Sequence, residues 1–200
     1  VTAQTNGIIS TASFNDYSVY VNGGKITVVA GNAIAAYEGL NAVNANLNLE
    51  ATTGIGIESE AGGVILEDCE LLITSAKDGI STCSYSEYDV YILDSKVQIN
   101  AGDYGIYGSG GAVKLENSDI TVDADEVGIS GYDSYNYTAD VLIDGGNTVI
   151  NAGTTGIEAY NCGLNVLGGN VTIKSLDTEN DDSYSVIGTY NEPIFAAGLE

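Results

Sequence analysis

"VKLENSDITVDADEVGI", residues 113–129, contains one full structural period. Val113 and Leu115 are apolar and two apart. Ser118 is small. Ile120 and Val122 are again apolar and two apart, Ala124 is small, and Gly128-Ile129 closes the period. A spacing of two places both members of a pair on one side of an extended strand, and β-branched residues suit that pleated surface. The same order recurs as "VYVNGGKITVVA" from 19, "LNAVNANLNLEA" from 40, "VILEDCELLITS" from 64, "VYILDSKVQINA" from 90, "VLIDGGNTVINA" from 141 and "LNVLGGNVTIKS" from 164.

Aligned, the seven copies form columns. Ile8, Ile34, Ile55, Ile80, Ile106, Ile129 and Ile157 make one. Two others hold only small residues: Gly24, Ala45, Cys69, Ser95, Ser118, Gly146 and Gly169, then Ala30, Ala51, Ser75, Ala101, Ala124, Ala152 and Ser175. Small residues in register mark sharp turns with no room for bulk. A period of about 25 residues with several short strands identifies a β-solenoid, in which no coil buries its apolar face alone but the stack makes one core. A propeller blade needs about 40 residues, the calcium-binding nonapeptide is absent, and no 3.6-residue period indicates helices. The irregular spacing once per coil predicts three unequal strands per coil. That pattern resembles an all-β, right-handed parallel β-helix, here of about seven coils, whose strand spacing of about 4.8 Å gives a core roughly 35 Å long. Residues 1–200 form one domain: 1–6 lead in and cap, 7–175 form the coils, and 176–200 form a C-terminal loop and cap.

The chain has 28 carboxylates and five cations, all lysines, for a net charge of -23. Such a surface repels nucleic acid and anionic lipid. No apolar run approaches the roughly 20 residues needed to span a bilayer. The chain begins at Val1 without a signal peptide and reads as a trimmed mature piece, with Leu199-Glu200 as a cloning scar. Cys69 falls in a small interior column. Cys83 and Cys162 lie three coils apart, too far to bridge, so three free thiols are expected.

Variation concentrates between the isoleucine column and the next apolar column, where the gap ranges from six to twelve residues. These segments read as loops along one flank, the usual place for a binding surface on a rigid scaffold. They carry nine of the 14 tyrosines and none of the lysines. A tyrosine offers a flat apolar face and a hydroxyl, a match for a sugar ring, and it also anchors protein partners. Tyr107, Tyr132, Tyr135, Tyr137 and Tyr160, with Tyr85 and Tyr88, are the candidate ligand-binding residues. The rival reading is that these rings only cover the flank.

With no histidine or arginine, nucleophilic triads are excluded. Paired carboxylates such as Glu58/Glu60 and Glu87/Asp89 leave open a glycosidase, which needs two acids about 5–10 Å apart. "SLDTENDDS", with Asp177, Glu179 and Asp181, has acid spacing suited to Ca²⁺ but lacks the glycine and distal glutamate of an EF-hand, and "DADE", residues 123–126, is a second candidate. The outward positions Thr27, Asn48, Leu72, Gln98, Thr121, Val149 and Thr172 are too mixed for an ice-binding array.

The coils "GGKITV" and "GGNVTI" and the junction "KDGI" resemble the secreted clostridial-type carbohydrate-binding β-helices of the pectate-lyase-like superfamily. The resemblance covers nearly the whole chain. It implies a non-catalytic, extracellular glycan-binding module, in some relatives loaded with Ca²⁺, whose ligand here would be neutral or bridged through Ca²⁺. Two other readings remain: a structural or adhesive segment of a larger surface protein, and a polysaccharide lyase or hydrolase.

Overall fold

The computed structural model describes residues 1–13, 17–83, 88–132, 140–175, 184–189 and 194–196, the last two segments and Tyr88 by backbone only. Every element is a strand and every pairing among the named strands is parallel. Each coil contributes three strands to three faces, as the unequal spacing predicts. The first face stacks Asn6–Ser10, Asn32–Ala36, Ile57–Ser59, Ile80–Thr82, Tyr104–Ser109, Val127–Tyr132, Thr155–Tyr160 and Tyr184–Thr189. The second begins with Val19–Asn22 and the third with Lys25–Ala30. These two faces join where Asp140–Ala152 and Gly163–Ser175 run through both. On the third face the seven copies stack in register, six full turns from first to last.

One column needs correction. Ile34 and Ile80 both pair with Ile57, not Ile55. Ile57 is fully buried while Ile55 is only half-buried. In "GIGI", residues 54–57, both glycine-isoleucine pairs fit the motif, and only the second lies in register. The variable segment of that coil accordingly shortens from nine residues to seven.

Steric room explains why glycine precedes the isoleucine. A Cβ on Gly105 would collide with Cγ1 of Val122 and with the carbonyl oxygen of Gly128 in the next coil. Gly56, Gly79 and Gly128 repeat this against Ile73, Ile99 and Ile150 and the glycine one coil on. Between the second and third faces the turn has a different solution. Asn44, Asp68, Asp94 and Asn117 adopt positive φ of 47–52°, the left-handed conformation that Asn and Asp tolerate best among side-chain-bearing residues. The small column follows directly. There Cys69 N–H donates to Ser95 Oγ and Ser95 N–H to Ser118 Oγ, both at 3.0 Å, while the two serine hydroxyls donate to Leu93 O and Glu116 O. Serine thus satisfies backbone groups that a tight corner would otherwise strand. None of the three cysteines is in a disulfide: Cys69 and Cys162 are buried and Cys83 is exposed.

Two substitutions test this packing. Gly105→Ala should destabilise by about 1–3 kcal/mol, because backbone and a branched side chain must both yield. Thr148 stands between Ile120 and Val171 in an apolar column, and its buried hydroxyl has no hydrogen-bond partner. Thr148→Val should therefore stabilise by about 1 kcal/mol. Denaturant midpoints at constant slope measure both; a neutral Gly105→Ala or a destabilising Thr148→Val contradicts the packing described.

Candidate functional site

Alternation along the first face sends the residues one and three beyond the isoleucine outward. The inner of these two outward columns reads Ile9, Ala35, Glu58, Ser81, Tyr107, Ser130 and Glu158. The outer one contains Tyr37, Glu60, Cys83, Ser109, Tyr132 and Tyr160, its early register fixed by Glu60 N–H to Ala36 O and Cys83 N–H to Ser59 O.

In the later coils these columns converge on a groove. Tyr132 and Tyr160 stack with ring centroids 5.1 Å apart and planes 24° from parallel, a spacing set by the strand separation. Two residues inward, Tyr104 and Tyr107 meet at 5.3 Å and 58°. Ser130 sits between the two pairs, and its Oγ donates to Glu158 Oε2 at 3.3 Å. An open hollow of about 200 Å³ results, lined by the four rings, Ser130 and Glu158. Burial, then the negative charges of Glu158 and Glu126, push the Tyr104 phenol above its usual range, so it stays a hydrogen-bond donor. Stacking covers one face each of Tyr132 and Tyr160. Below Tyr132 in its column lies Ser109, too short to cover the other. The groove therefore presents ring surface, hydroxyls and one carboxylate acceptor.

Three predicted ligand residues, Tyr107, Tyr132 and Tyr160, thus come together, but not on loops. Tyr107 lies inside the strand Tyr104–Ser109, and Tyr132 and Tyr160 end theirs. Counting the variable segment from the isoleucine assigned the last three strand residues to a loop. Tyr85, Tyr135 and Tyr137, like Asp177, Glu179 and Asp181, lie outside the described residues, and Tyr88 is described by backbone only. The sequence reading missed Tyr104, Ser130 and Glu158. Alternation from the isoleucine would have found the last two.

The other candidates fare differently. Asp123 accepts from Asn151 Nδ2 at 2.7 Å, and no group of three or more acidic, cysteine or histidine side chains among the described residues is arranged to hold a metal. Asp89 is fully buried, and Glu87 lies outside the described residues. Lys114 pairs with Glu116 at 2.7 Å and lies 4.8 Å from the Tyr91 ring centroid on the second face. Those partners, Lys114 first and then the Tyr91 hydroxyl, hold Glu116 below the usual carboxylate range.

Glu58 accepts from Asn32 Nδ2 at 3.2 Å. Burial, then Glu60 and Asp78, push its carboxyl above the ordinary glutamate range. The folded state then binds this proton more tightly than the unfolded chain, so the group's contribution to stability falls as pH rises through that raised value. Glu58→Gln keeps an acceptor for Asn32 and should raise stability at pH 7 while leaving it little changed at pH 4. Thermal melts at the two pH values check this; a loss at pH 7 contradicts it.

A family model described as "Carbohydrate-binding domain-containing protein" matches residues 71–193, more than half of the chain and all six residues lining the groove. No curated protein and no solved structure matches. The chain belongs to the family of carbohydrate-binding domain-containing proteins.

Proposed function

We propose that the protein is a non-catalytic, extracellular module that holds a glycan in the first-face groove between Tyr104, Tyr107, Tyr132 and Tyr160. The observation that carries this reading is the convergence of four tyrosines around Ser130 and Glu158, within the family-matched part of a single β-solenoid. A sugar ring has an apolar C–H face and a rim of hydroxyls. Tyrosine supplies the apolar contact, and its hydroxyls with Glu158 supply the polar ones. Charge selects the ligand. A protein of net charge -23, with a carboxylate in the groove, disfavours a polyanion and favours a neutral glycan. A uronic chain would need Ca²⁺ to bridge the two sets of carboxylates.

Each ring in contact contributes on the order of 1 kcal/mol beyond its buried area. A few such contacts give dissociation constants in the micromolar to millimolar range. The rival reading, a structural or adhesive segment, draws on the same stacked rings as packing alone.

Isothermal titration with linear β-1,4-linked oligosaccharides of glucose, mannose and xylose, and with oligogalacturonate with and without Ca²⁺, separates the two. Binding of a neutral series, weakened about five- to tenfold by Tyr132→Ala in a protein that melts normally, supports the module. No binding to any of them, or affinity unchanged by Tyr107→Ala and Tyr132→Ala together, favours the structural reading.

A further inference from the structure

The outer column that carries Tyr132 and Tyr160 also carries Tyr37, four coils earlier. Tyr37 is 38% exposed, as open as Tyr160 at 39%. It borders a second hollow, of about 100 Å³, with Ile9, Thr11, Ala35, Glu58 and Glu60. Between the two aromatic sites the outer column holds Cys83 and Ser109, and the inner column holds Ser81 before Tyr107. The face is therefore aromatic at both ends and low between them.

Resting on the carbohydrate-binding reading, we infer that the ligand is an extended, neutral oligosaccharide lying along the solenoid axis, with Tyr37 as a second contact point. Geometry supports the direction. Strands about 4.8 Å apart put Tyr37 roughly 19 Å from Tyr132, and one coil corresponds to about one pyranose unit of an extended chain. A chain crossing the strands meets a hydroxyl or carboxylate at each step: Glu58 and Glu60, then Ser81, then Ser109, then the Tyr132 hydroxyl, then Glu158. A chain running parallel to the strands, which are six residues and about 20 Å long at the groove, would never reach Tyr37. Charge supports neutrality, since the two columns hold three glutamates and no lysine. Low residues between the aromatic ends admit a continuous backbone.

The inference has a length signature. A di- or trisaccharide reaches only the Tyr104–Tyr160 groove. An oligosaccharide of about six units reaches both hollows, and its second contact forms intramolecularly, adding affinity without a second loss of translational freedom.

The test is isothermal titration of the same β-1,4-linked glucose, mannose and xylose series from two to eight units, on the wild type, Tyr37→Ala and Tyr132→Ala, each checked by thermal melting. In a series that binds, affinity should rise about tenfold or more between three and six units and then level off. Tyr37→Ala should abolish that rise and leave the trisaccharide affinity unchanged. Tyr132→Ala should weaken trisaccharide and hexasaccharide alike. If affinity levels off at the trisaccharide, or Tyr37→Ala leaves the hexasaccharide unaffected, the axial chain is wrong while the groove stands. If no member binds, the groove reading fails and this inference with it. Should Tyr37→Ala melt early, Tyr37→Ser and attachment of a bulky maleimide to exposed Cys83, midway along the path, ask the same question. Blocking Cys83 should impair hexasaccharide binding only, and an unaffected hexasaccharide overturns the inference.

Discussion

Each coil must repeat at the strand spacing of about 4.8 Å, and at Gly56, Gly79, Gly105 and Gly128 that spacing leaves no volume for a Cβ. The glycine lies under a branched side chain from the third face and against the carbonyl of the glycine above. This contact brings the third face close to the first and fixes where the next residue points. Ile57, Ile80, Ile106 and Ile129 follow, each fully buried. With the isoleucine inward, the next residue and the third must point outward. The chemistry of the first face is thus placed by a packing constraint on the opposite side of its strands.

On that scaffold the exposed residues are free to vary, because a solenoid asks only that the inward positions match their neighbours. The first face uses this freedom unevenly. Its later coils gather Tyr104, Tyr107, Tyr132 and Tyr160, while its middle coils carry Ser81, Cys83 and Ser109. Small next to large in register produces relief. Ser130 beside Glu158, and between the two ring pairs, makes a hollow where a uniform ladder would make a flat wall. The other faces carry polar ladders instead, such as Asn170 Nδ2 to Asn147 Oδ1 and Asn147 Nδ2 to Asp119 Oδ1 at 2.9 and 2.8 Å. Those side chains satisfy one another along the stack and form a solvated surface.

The interior was legible because its columns are long and obey one rule. Ile26, Leu47, Leu71, Val97, Ile120, Thr148 and Val171 pair one above the next, even where Thr148 breaks the apolar pattern. Ambiguity entered where the sequence offered two equal choices, as at Gly54-Ile55-Gly56-Ile57, and only pairing to Ile34 and Ile80 decides. The corner residues Asn44, Asp68, Asp94 and Asn117 form a column that was in plain view. It went unread because it is defined by backbone conformation and not by hydrophobicity. The site was half legible. Tyrosine enrichment identified Tyr107, Tyr132 and Tyr160, but where a strand ends depends on hydrogen bonds to the next coil. Residues +1 and +3 from the isoleucine were therefore assigned to a loop. Glu158 and Ser130 carry no compositional signal and emerge only from register.

The chain contains no tryptophan and 14 tyrosines, so its tyrosine rings report directly on where a sugar sits. Aromatic ¹³C–¹H correlation spectra recorded while a neutral β-1,4-linked hexasaccharide is added test the central claim at the level of single rings. The account predicts shifts of the Tyr104, Tyr107, Tyr132 and Tyr160 resonances, with Tyr20 and Tyr91 on the second face unmoved. Shifts confined to Tyr20 and Tyr91, or saturating perturbation that leaves the four groove rings unchanged, would contradict it.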